Sequence, residues 1–60
     1  MTNKEKLRSE GFKFSDNQHK GTLYAKLVGG MLHRAVIAHD NKLIRYLPTK
    51  ANKHQRKIYS

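Results

Sequence analysis

Apolar residues follow two rhythms along this chain. From Thr2 to Glu10 the residues are mostly polar or charged, and Leu7 is the single large apolar side chain. Thr2-Asn3-Lys4-Glu5 has capping-box spacing, with Thr2 at N-cap and Glu5 at N3. This predicts a helix over about residues 3–10, stopped by Gly11 as a left-handed C′ residue. A helix that short does not stand alone and must dock. The period then changes to two. Phe12-Lys13-Phe14 reads as a short strand with both rings on one side. The polar stretch 15–21 has the composition of a turn. Thr22–Val28 and Met31–Ala38 read as hairpin arms around Gly29-Gly30, which supplies two positive-φ positions. His39–Lys42 is a second turn, Leu43–Leu47 a further strand, and Pro48 its end.

A two-residue Gly-Gly turn sets the register. Val28 then opposes Met31, Leu27 opposes Leu32, Lys26 opposes His33, and Tyr24 opposes Ala35. One face collects Leu23, Ala25, Leu27, Leu32, Val36 and Ala38, with Arg34 as its single charged member. The other collects Tyr24, Lys26, His33, Ala35 and Ile37. The first set is expected to face the core and to receive the helix through Leu7, Phe12 or Phe14. The second hairpin allows two registers. A four-residue loop sets Tyr46 beside Ala35, in a row with Tyr24. A three-residue loop turns Ile44 and Tyr46 to the Val36 face and Arg45 to the other. Residues 49–60 read as a basic tail or a short helix capped by Thr49, with Ala51, Gln55, Ile58 and Tyr59 as a weak stripe. The expectation is an α+β minidomain over 1–48. In it a short N-terminal helix packs on a three- to four-stranded antiparallel meander, and a basic C-terminal tail follows.

Composition narrows the function. Sixty residues bury only roughly 60% of the unfolded surface, so an enclosed active-site cavity is not expected. Cys is absent, which removes disulfides, thiolate metal sites and Cys nucleophiles. No apolar run approaches a membrane span, and the first residues lead into no signal-peptide core, so a cytoplasmic location is expected. Lys and Arg number 13 against four acids, a formal charge of +9. Past Asp16 the only acid is Asp40. Self-repulsion of this size destabilises a small domain, and a polyanion relieves it while releasing counterions.

These features predict a non-catalytic DNA- or RNA-binding accessory or regulatory protein, of the kind that phages and plasmids carry. No cofactor, metal, small-molecule substrate or membrane is expected. The residues expected to meet phosphate are Lys50, Lys53, Arg56 and Lys57, then Lys26, His33, Arg34 and Arg45. Tyr24 and Tyr46 are the expected stacking rings. Four phosphate contacts from the tail alone predict a log–log salt slope near about −3.6 on duplex DNA. An alternative is an interaction protein that docks on and inhibits or redirects an acidic or nucleic-acid-processing host protein. So small a core also favours a homodimer. A third reading is a small RNA-cleaving toxin using His33 with Lys26 or Arg34, or His19 with Lys20. A helix followed by three strands is similar in element order to the HicA-like mRNA interferases. The resemblance is architectural, since Asp16-Asn17-Gln18-His19-Lys20-Gly21 lacks that family's glycine-led catalytic histidine segment. His19, His33, His39 and His54 have no chelating spacing.

Overall fold

The structure is a computed structural model that describes residues 2–59. Met1 and Ser60, the outer ends of the two expected segments, lie outside the described residues. The described chain is α+β, as expected. Helix α1 (Asn3–Ser9) precedes strands β1 (Lys13–Gln18), β2 (Gly21–Val28), β3 (Met31–Ala38), β4 (Leu43–Arg45) and β5 (Thr49–Lys50), and helix α2 (Lys53–Tyr59) follows. The antiparallel sheet runs β1-β2-β3-β4. Strand β5 takes the other end of β3, pairing Met31 with Lys50 and Leu32 with Thr49.

Both ends of α1 follow from local chemistry. Thr2 accepts a hydrogen bond from the Glu5 N–H at 3.1 Å and caps the first turn. At the other end Gly11 has φ +95°, and its N–H donates to the Arg8 carbonyl while the Phe12 N–H donates to Leu7. This is a Schellman ending, whose apolar contact joins the residues three before and two after the cap. Here those residues are Leu7 and Phe12, and both are buried in one cluster with Tyr24 and Ala35. Burying Leu7 contributes about 1.5–3 kcal/mol, and without it a seven-residue helix has little to hold it.

That cluster corrects the expected packing. The register of the first hairpin is the predicted one at all four pairs, and Gly29 and Gly30 have φ +56° and +80°. The helix, however, covers the Tyr24/Ala35 face, with Ile37 and Leu43 at its margin. Ala35 has no bulk to hold α1 away, and Phe12 commits α1 to the side of Tyr24. The opposite face, where Ala25, Leu27 and Leu32 lie at the Gly29-Gly30 end, is covered there by Ala51 and Tyr59. Helix α1 and the segment from Ala51 through α2 therefore lie on opposite sides of the sheet.

Three further expectations are corrected. The stretch expected as a turn over 15–21 is mostly strand, and only His19-Lys20 turns. β1 is an exposed edge in which no residue is fully buried, so polar side chains cost nothing there and pairing with β2 decides the backbone. Ser15 is the extra residue of a bulge, between the Phe14–Tyr24 and Asp16–Leu23 pairs. Its hydroxyl shares a hydrogen bond with that of Tyr59, which ties α2 to β1. Thr49 is in β5, and α2 is capped instead by Asn52. The Asn52 side chain accepts from the Gln55 N–H at 2.8 Å, and the Gln55 side chain accepts from the Asn52 N–H at 3.0 Å. Of the expected stripe, Ala51 is buried and Tyr59 packs, but Ile58 is exposed. The second hairpin takes the three-residue loop, pairing Ala35 with Arg45, Val36 with Ile44 and Ile37 with Leu43. Asn41 closes that loop at φ +66°, the left-handed residue such loops require.

Candidate nucleic-acid interface

The ten residues expected to meet nucleic acid are divided between both faces of the sheet. Tyr24 is 5% exposed and belongs to the core, so it presents no ring to a base. Lys26 is half-buried, donates to the Glu10 carbonyl at 3.0 Å and lies 4.8 Å from the Phe12 ring centre. His33 and Lys50 share this side of the sheet, beyond the reach of α1. Arg34 and Tyr46 lie on the opposite side, where the Arg34 guanidinium is 5.8 Å from the Tyr46 ring centre. Lys53, Arg56 and Lys57 ride on α2. The row Tyr24–Ala35–Tyr46 does not form, because the three-residue loop turns Tyr46 away.

Arg45 is engaged within the protein. Its two terminal nitrogens donate to the two Glu10 oxygens at 2.9 and 2.8 Å, a bidentate pair. These hydrogen bonds hold the Glu10 carboxyl below the usual carboxylate range, and they raise Arg45, which stays charged at any working pH. Burial opposes both shifts. Because the folded carboxyl is the stronger acid, its contribution is present above the ordinary carboxylate range. It is lost as pH falls through the lower, folded value. Urea unfolding at neutral and at acid pH should show this loss in the wild type, with Glu10→Gln reducing it. An identical pH dependence in the two proteins would mean that the pair is not formed.

Apart from Tyr24, the residues that do converge are not among those singled out by sequence. Between α1 and β1 lies an open cleft of about 430 Å³ lined by Lys4, Arg8, Phe12, Lys13, Phe14 and Tyr24. Lys4 and Arg8 are one helical turn apart and project from the same side of α1. At the start of β1, Phe14 pairs with Tyr24 and shares its face, whereas Lys13 pairs with Ala25 and lines the cleft from its edge; Phe12 and Tyr24 form the floor. The Phe14 ring is 58% exposed and meets Tyr24 edge-to-face, with centres 6.4 Å apart. No acidic side chain lines the cleft. Like charges one turn apart destabilise a helix by about 0.2–0.5 kcal/mol, so this arrangement is costly until an anion occupies it. The signal available in the sequence was the Lys4/Arg8 spacing. It became meaningful only once β1 brought Lys13 and Phe14 alongside.

A shallower depression of about 260 Å³ lies on the opposite face, lined by Gln18, Leu23, Arg34 and Tyr46. The Arg34 Nε there is buried and has no hydrogen-bond acceptor. Leaving a buried donor unmatched costs about 1–3 kcal/mol, more for charged groups.

Among the described residues no three metal-ligating side chains converge, and no helix is long and apolar enough to cross a membrane. No protein-family model, curated protein or solved structure matches the chain, so its own residues carry the functional reading.

Proposed function

We propose that the protein is a small, non-catalytic nucleic-acid-binding accessory protein whose primary contact surface is the cleft between α1 and β1. One observation carries the reading: two cations of α1 and an exposed ring line a cleft with no acidic residue in its lining, and Lys13 stands at its β1 edge. Lys4, Arg8 and Lys13 take the phosphates, and Phe14 stacks a base. Charge elsewhere on the surface steers the polyanion and adds affinity without base preference.

Salt-titrated anisotropy with fluorescent DNA and RNA probes tests this. Affinity should fall linearly on a log–log plot as salt rises. Phe14→Ala should weaken binding by about 1–3 kcal/mol, the worth of one stacked base, with little change in that slope. Since Phe14 is mostly exposed, the variant should fold normally. Absence of binding to every probe at low salt would reject the proposal.

A further inference from the structure

We propose that Arg34 and Tyr46 form a second nucleotide subsite, and that the preferred ligand is a single strand passing around the β1 edge to reach both faces. The inference rests on the nucleic-acid reading of the cleft and adds to it the form of the ligand.

The argument begins with an anomaly in the pattern. Arg34 occupies the face otherwise built from Leu23, Ala25, Leu27, Leu32 and Val36. Its cross-strand neighbours are Ala25 on β2 and Tyr46, whose N–H donates to the Arg34 carbonyl. The Glu10–Arg45 ion pair lies on the other side of the sheet. An apolar residue at position 34 would suit the sheet better. Local rules of folding tend to be broken at functional positions.

The surroundings fit a nucleotide. Tyr46 holds the guanidinium through its ring face and is itself 41% exposed. Gln18 adds an amide able to donate and accept, and Leu23 an apolar wall. Phosphate fits the guanidinium, and a base fits the ring.

Position supplies the rest. Both depressions border β1, with Lys13 and Phe14 at the first and Gln18 at the second. Four residue steps of strand lead from Phe14 to Gln18, about 13 Å. The molecule measures 18 Å in its thinnest direction. A duplex with a persistence length of about 50 nm does not turn around such an edge, whereas a single strand does.

The test compares oligothymidylates of roughly 4 and roughly 12 nucleotides, spanning the site sizes of small single-strand-binding folds, with a short duplex. Arg34→Gln and Tyr46→Ala are each expected to cost the longer oligomer about tenfold, and to leave the shorter one and the duplex within about twofold. Thermal melts confirm that both variants fold. If neither variant weakens the longer oligomer while Phe14→Ala does, the second subsite is wrong and the cleft stands. If the shorter oligomer or the duplex suffers equally, the two depressions are not separate stations and the inference fails. If no probe binds the wild type, both the inference and the reading beneath it fall.

Discussion

Alanine at position 21 is expected to abolish most of the domain's stability. Gly21 opens β2 opposite Ala38, at φ +153°. A Cβ built there would sit 2.1 Å from the Ile37 carbonyl oxygen and 2.8 Å from the Ala38 Cα. Both are backbone atoms of β3, so no rotamer change relieves the clash. Relief requires the end of the β2–β3 ladder to open, and with it the base of the β1–β2 turn, where Gln18 pairs with Gly21. Strained backbone alone costs about 1–3 kcal/mol, and the lost pairing adds to it. Sixty residues at the usual stability per residue hold only about 3–9 kcal/mol. Circular dichroism during heating or urea titration should therefore show Gly21→Ala largely unfolded at room temperature. Gly30→Asn is the control. Its φ of +80° suits Asn, and nothing lies within 4 Å of the added Cβ, so it should cost less than about 1 kcal/mol. A Gly21→Ala protein melting like the wild type would refute the close approach of β2 to β3.

Neutralising the cleft is expected to have the largest effect on binding. In the triple variant Lys4→Ala, Arg8→Ala, Lys13→Ala, every substituted side chain is exposed and none belongs to the core. Stability should hold or rise slightly, because the Lys4–Arg8 repulsion disappears. Affinity for a single-stranded probe at low salt should fall on the order of 100-fold, and the log–log salt slope should shrink by about 2, three contacts at roughly 0.7 each. The matched comparison is Lys50→Ala, Lys53→Ala, Arg56→Ala, which removes the same charge at β5 and α2. A local site predicts a much smaller loss there. Equal losses from the two triples would mean that the charge acts as a diffuse field, and the cleft would lose its special role.

The features legible from sequence were those settled within a few residues. Gly29-Gly30 imposed the hairpin register because its turn admits one pairing. Thr2 and Gly11 bounded α1 because the cap and the left-handed C′ act on adjacent backbone. Thr49 misled because Asn52, three residues on, had a better reciprocal partner in Gln55. Strand β1 was hidden by its composition. Its turn-like residues sit on an open edge, where backbone pairing outweighs side-chain preference. The candidate site was less visible still. Lys4, Arg8, Lys13 and Phe14 become neighbours only through the bend at Gly11, and the weight placed on Tyr24 was misdirected because a tyrosine pattern does not distinguish a buried ring from a presented one.

By itself the sequence determined helix α1, the two arms of the first hairpin, the pairing of β2 with β3, the division of their side chains between two faces, and an unbalanced positive charge. Each of these depends on local dihedral preference, period or simple counting. Only the tertiary structure decided which helix covers which face, that the Ser15 bulge lets β1 follow β2, and which cations share a cleft. Both faces of this sheet are apolar enough to accept a helix. The choice therefore fell to long-range contacts, Leu7 and Phe12 on Tyr24 and Ala51 on Ala25 and Leu32, between residues that no local pattern brings together.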